Sequence, residues 1–138
     1  MVEDYPETER RKYKRLDVNF TVIYRVNKPL EVRMMVGNKE VDALMLNLSE
    51  GGMCLLTDYN IPIQTILFIK FTLINLNAYR NERVKSMQII GEVRYNIVTQ
   101  SHLYRLGVCF TEIDEKDKTA IIDFLGMTGA SSETPSFM

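Results

Sequence analysis

From Val18 onward the chain alternates with period two. Val18, Phe20, Val22, Tyr24 and Val26 fall on one face, and Asn19, Thr21, Ile23 and Arg25 on the other. That spacing predicts a half-buried strand. Asn27-Lys28-Pro29 reads as a turn, and residues 30–36 as a second β-rich run that ends at Gly37-Asn38. Both of those residues tolerate positive φ, so a tight hairpin is expected there. Residues 40–48 return through Val41, Ala43 and Met45 to a polar corner, Asn47-Leu48-Ser49-Glu50-Gly51-Gly52. Short strands follow at 53–57, 64–74, 84–95 and 103–111. They are separated by a loop at 58–62, a polar loop at 75–82 and a turn at Thr99-Gln100-Ser101. In the last strand Tyr104, Leu106, Val108 and Phe110 share a face.

The period then changes. Ala120, Ile121, Phe124 and Leu125 recur at helical spacing, with Asp114 as the expected N-cap and Gly126 as the expected stop. Six or seven short strands and one C-terminal helix predict an all-β protein, a small antiparallel barrel with the helix over one end or side. Closure would also protect strands as apolar as 66–74. Domain organisation follows the same pattern. An acidic, polar lead-in covers 1–9, a single domain covers 10–126, and a tail rich in Ser, Thr, Gly and Pro covers 127–138.

Composition adds little to this picture. The 138 residues are 46% apolar and 25% charged, ordinary values for one globular domain. No apolar run approaches the ~20 residues that span a bilayer, and the first residues lack the pattern of a signal peptide. With two cysteines, Cys54 and Cys109, read as small buried thiols in strands, the expected setting is a reducing cytoplasm. Catalysis finds no support. His102 is the single histidine and sits in a polar turn, Ser49 lies outside a Gly-x-Ser-x-Gly elbow, and no spacing suits a metal or a glycine-rich phosphate loop. The chain is expected to be neither an enzyme nor the holder of a cofactor or metal.

Charge is more informative. Arg10-Arg11-Lys12-Tyr13-Lys14-Arg15 holds five basic residues, and without them the formal charge of -1 becomes -6. So concentrated a cluster suits an anionic partner. The Asn47–Gly52 corner offers the complementary chemistry. Asn and Ser can hydrogen-bond a base edge, glycines let a ligand approach the backbone, and guanidinium forks match phosphate oxygens or a guanine edge. A small guanine nucleotide would require both parts.

These two stretches together resemble the PilZ family of cyclic di-GMP receptors. The family's Arg-x-x-x-Arg element matches Arg11-Lys12-Tyr13-Lys14-Arg15, and its Asp/Asn-x-Ser-x-x-Gly element matches Asn47-Leu48-Ser49-Glu50-Gly51-Gly52. Gly91-Glu92-Val93-Arg94 and Tyr104-Arg105-Leu106-Gly107-Val108-Cys109-Phe110 are similar to later family elements, so the resemblance covers roughly residues 9–126. It implies a bacterial second-messenger receptor: a six-stranded antiparallel β-barrel of PilZ type with a C-terminal α-helix, and an arginine arm that folds over cyclic di-GMP.

On that resemblance Arg11 and Arg15 hold phosphate and guanine, with Arg10 and Lys12 as helpers. Asn47, Ser49, Gly51 and Gly52 form the polar corner, and Arg94 adds a guanidinium that can stack on a base. A downstream protein partner receives the signal. Two departures stand out: Asn47 occupies a position often held by Asp, and the segment between the two motifs is long, with an extra hairpin expected around Gly37-Asn38. The alternatives are a nucleic-acid-binding barrel with a basic arm, and a PilZ-fold adaptor for protein contacts. An acidic barrel without a basic and aromatic strand face disfavours the first. Intact motif positions disfavour the second.

Overall fold

The computed structural model describes residues 15–74 and 84–127, with Arg15, Leu16 and Met127 described by their backbone alone. The elements in order are β1 (Arg15–Lys28), α1 (Leu30–Met35), β2 (Val41–Ser49), β3 (Gly52–Thr57), β4 (Ile66–Ile74), β5 (Val84–Val98), β6 (Tyr104–Glu112) and α2 (Glu115–Met127). The six strands close into an antiparallel barrel in the order β1-β2-β3-β6-β5-β4.

Alternation builds the wall, as the sequence pattern requires. In β4 the burial of Leu67, Ile69, Phe71 and Leu73 alternates with exposure of Phe68, Lys70, Thr72 and Ile74. Tyr24, Met45, Leu55, Ile89 and Leu106 are fully enclosed in the barrel core. Gly91 belongs to this interior, where a Cβ would come within 2.5 Å of Val108 Cγ1. At one end α2 closes the barrel with Ile121, Phe124 and Leu125, and the Phe124 ring meets Phe20 at a centroid separation of 5.8 Å.

Two expectations about the first half change. Residues 30–36 do not form a strand, and no hairpin turns at Gly37-Asn38. Leu30–Met35 is a one-and-a-half-turn helix, α1, that packs on β1. Its buried residues are Val32 and the following Val36, four apart, which is helical spacing. The same segment also alternates Leu30, Val32, Met34 and Val36, so period two and period four coincide over so short a run. Leu, Met, Glu and Arg, all good helix formers, favour the helix. Gly37 (φ 90) and Asn38 (φ 52) do adopt the left-handed conformation, but as a helix stop: Gly37 N–H donates to Met34 O and Asn38 N–H to Arg33 O.

The remaining differences are at boundaries. β5 runs on to Val98, and α2 passes through Gly126 to Met127. Asp114 opens α2 by accepting the Lys118 N–H at its carbonyl. Cys54 is buried, whereas Cys109 is only partly so. The loop expected at 75–82 and the tail beyond Met127 lie outside the described residues.

One polar pair sits inside the barrel. The Tyr24 and Thr57 hydroxyls are 2.8 Å apart, and Thr57 Oγ1 also accepts the Tyr59 N–H. Burial pushes the Tyr24 phenol up to about 12, against the opposing effect of the Thr57 hydrogen bond. The neutral phenol is therefore the folded form. Its contribution to stability is complete below pH ~10, the unfolded value, and is lost as pH rises through 12. Tyr24→Phe is expected to cost about 1 kcal/mol at pH 7. It should also lack the extra loss, roughly 2–3 kcal/mol, that the wild type suffers between pH 10 and 12. Urea unfolding across that range checks this, and equal alkaline losses in both proteins would contradict it.

Candidate functional site

The polar corner between β2 and β3 is held by its own serine. Ser49 Oγ accepts the Gly51 and Gly52 N–H groups, each at 3.2 Å, and donates to Gly52 O at 3.3 Å. The turn is tied outward as well. Phe110 N–H donates to Gly51 O at 2.9 Å, and Glu50 pairs with Lys118 of α2 at 3.8 Å. Gly52 leaves no room for a side chain, since a Cβ there would lie 2.3 Å from Val108 O. The corner is thus fixed against both β6 and α2.

What faces outward beside this corner is decided by irregularities in the strands. Met45 and Leu48 are both fully buried, which strict alternation forbids. A register shift between Met45 and Asn47 resolves the conflict and sets Asn47 opposite Cys54 on the outer face. β1 shifts on its other side, between Asp17 and Phe20, to stay paired. β5 shifts between Val93 and Tyr95, so that Tyr95 stands opposite Gly107 rather than pointing inward after Val93.

Opposed residues in a sheet share a face. The outer surface therefore carries a row Asp17, Asn47, Cys54, Gly107, Tyr95 across five strands. A neighbouring row runs Ser49, then Gly52, Cys109 and Glu92.

The Tyr95 ring lies over Gly107. A Cβ on that glycine would be 2.0 Å from Tyr95 Cε2. Tyr95 Oη donates to Cys54 Sγ at 3.7 Å, and Arg105 Nε donates to the same sulfur at 3.4 Å. Cys54 is thereby buried on the outside of the barrel, under a tyrosine and an arginine. Arg94 sits at the β5 irregularity, largely exposed, with its Nε 3.5 Å from Glu92 Oε1. Asn47 is buried, and its amide makes no hydrogen bond with another described residue.

Of the residues expected from the sequence, Asn47, Ser49, Gly51, Gly52 and Arg94 lie on this one face. Arg15 begins β1 with its backbone opposite Ser49. Arg10, Arg11 and Lys12 lie outside the described residues. Tyr95, Arg105 and Cys54 were not expected at the site. Counting by twos from Val93 places Tyr95 in the core, and no local sequence signal marks the shift. The surface as built offers an amide, an anchored hydroxyl, backbone free of side chains at two glycines, an aromatic ring and two guanidinium groups. Such a surface suits a flat, hydrogen-bonding anion. Among the described residues no cluster could hold a metal ion, and no helix is long and apolar enough to cross a membrane.

Comparison with known proteins bears on the same region. A family model described as "PilZ domain" matches residues 9–126. No curated protein sequence matches the chain. Among solved structures, the fold is similar to the Bacillus subtilis inhibitor of motility MotI/DgrA, with a TM-score of 0.66 and 18% identity. That likeness covers 91% of this chain and 53% of the other, so the chain spans about half the length of that protein. It is also similar to the PilZ domain of Escherichia coli YcgR with c-di-GMP (TM-score 0.56, 12% identity, 94% of this chain and 99% of that one). A third likeness is to the K. pneumonia MrkH–c-di-GMP complex (TM-score 0.59, 14% identity, 92% and 55%).

The close approaches at the glycines carry a prediction. Gly107→Ala is expected to lift the Tyr95 ring off β6, and Gly52→Ala to part β3 from β6. Each should cost about 1–3 kcal/mol in denaturant unfolding, with amide chemical-shift changes centred on β3, β6 and β5. Wild-type stability in both variants would contradict the geometry.

Proposed function

We propose that this chain, which belongs to the PilZ domain family, is a receptor domain for cyclic di-GMP that signals through a partner protein. The observation that carries this reading is the outer face at the β2–β3 corner. There Asn47, Ser49, Gly51 and Gly52 stand together beside the start of β1, the strand into which the Arg11–Arg15 element leads. The YcgR PilZ domain with c-di-GMP and the MrkH–c-di-GMP complex have this fold, which supports the same ligand.

In this reading Arg11 and Arg15 take a phosphate and a guanine edge, and Arg10 and Lys12 add positive charge. Asn47 presents its amide to the ligand. Ser49 has a different weight from the one its motif position suggests. Its oxygen already accepts two N–H groups, so it acts chiefly by shaping the turn and gives a direct bond only by releasing Gly52 O. Gly51 and Gly52 keep the surface low enough for close approach. Arg94 and the Tyr95 ring flank a base.

Binding draws the arginine arm onto the barrel, and the altered surface is what the partner reads. The functional unit is 10–126, with 1–9 and 127–138 as flanking segments, and the setting is the cytoplasm. No catalytic step enters the reading.

Calorimetry with cyclic di-GMP tests it. Arg11→Ala and Arg15→Ala should each weaken binding about tenfold or more, as expected for a lost charged hydrogen bond. Equal binding by wild type and both variants would overturn the site. Tight, steeply salt-dependent binding to nucleic acid without preference for the dinucleotide would overturn the function.

A further inference from the structure

The barrel wall is not sealed along its whole length. β1 and β4 pair from Lys28 opposite Ile66 to Ile23 opposite Lys70, and there the pairing stops. Continued in register, Val22 would face Phe71, Thr21 would face Thr72, Phe20 would face Leu73, and Asn19 would face Ile74. Among the described residues, this part of β1 pairs only with β2 and this part of β4 only with β5. A groove of about 760 Å³ lies between them, walled by Thr21 and Thr72, with Phe20, Phe71 and Met87 deeper and Asp117 of α2 at its end.

Both walls are strand edges, which offer main-chain N–H and C=O groups to an incoming strand. Edges meant to stay free usually carry lysine, proline or an inward charge. The side chains along these edges are instead Asn19, Thr21, Thr72 and Ile74. Ile74 is opposite Val84, and the two form an exposed apolar lip. The charges nearby are largely matched within the fold. Lys70 holds Glu40 at 2.6 Å, which keeps that carboxyl below its usual range, and Lys85 lies 3.7 Å from Asp117. Asp42, also on the groove, has no ion pair with a described residue.

We propose that this open seam binds an extended peptide strand from a partner protein, with apolar residues at alternate positions and a basic residue to meet Asp42. The guest would complete the barrel. Because β1 and β4 are antiparallel to each other, it would run antiparallel to one wall and parallel to the other. Four positions on each edge set its paired length at about 13 Å, at ~3.3 Å per residue. Its apolar side chains would cover Phe20, Phe71 and Met87. The site lies on residues 19–22 of β1 and 71–74 of β4, whereas the other face takes only the start of β1, at Asp17, and it does not depend on the ligand proposed for that face.

Main-chain pairing supplies most of the affinity in such additions, so a generic strand serves as the probe. The test uses an acetylated seven-residue peptide that alternates valine and threonine between terminal lysines, and the same peptide with a central proline. Amide exchange by NMR should slow at least tenfold at the seam-facing member of each adjacent pair, Thr21 and Val22 on β1 and Phe71 and Thr72 on β4, with the first peptide and not with the second. Asp42→Lys, and separately Thr21→Lys with Thr72→Lys, should weaken the first peptide at least tenfold while cyclic di-GMP titrations and unfolding midpoints stay at wild-type values. Unchanged exchange at those four amides at millimolar peptide would overturn the proposal. So would equal binding of the peptide by wild type and variants.

Discussion

Everything at the outer face depends on a conflict between two requirements placed on β2. Met45 and Leu48 both belong to the core, yet three residues apart they cannot share a face of a regular strand. The extra residue at the shift between Met45 and Asn47 satisfies the core and turns Asn47 outward. β1 and β5 answer with shifts of their own, and the one in β5 brings Tyr95 out over Gly107. The polar face is therefore a consequence of how the interior is filled. Irregularities that interrupt pairing in a sheet re-aim side chains, and here three of them surround one surface.

The corner itself is rigid for a local reason and connected for a longer-range one. Ser49 fastens the two glycines, and Gly51 is fastened in turn to Phe110. Glu50 lies inside the motif but faces Lys118 of α2. α2 in turn packs Phe124 on Phe20 of β1. The face that presents Asn47 and the helix that plugs the barrel are thus joined by the corner and by β1. Anything that moves β1 at its start acts on both. The exposed ion pair adds little energy by itself, so the coupling rests on the packing.

Closure of the barrel is unequal around its circumference. Among the described residues, pairing is extensive from β4 through β5, β6 and β3 to β2, and stops halfway between β1 and β4. α2 meets β4 and β2 at the same end. Phe20 meets Phe124 there, and the pairing of β1 with β4 ends at Ile23 and Lys70. A barrel that filled its end with its own strand residues would have no need of the helix. This one uses the helix and keeps two strand edges apart.

Much was legible in the chain because strands and helices write themselves as periods. The alternation at 18–26 and, from Ile66, in the strand expected at 64–74, the helical set Ala120, Ile121, Phe124 and Leu125, and the Asn47–Gly52 corner lie where the pattern puts them. Residues 30–36 read equally as strand or helix because Val32 and Val36 fit period two and period four alike, and only their burial against β1 separates the two. Asn47 and Ser49 were readable as chemistry but not as geometry. Which way Asn47 faces is set by Leu48 and Met45 competing for the core, a contact between strands that local sequence does not encode. Tyr95 is illegible in the sequence for the same reason: its outward position depends on its register against Gly107 of β6. Local period and turn chemistry set the kinds of element, their order and the residue types at the corner. Where the register breaks, and so which side chains share the outer face and where pairing of β1 with β4 ends, is fixed only when strands distant in the chain fill one interior.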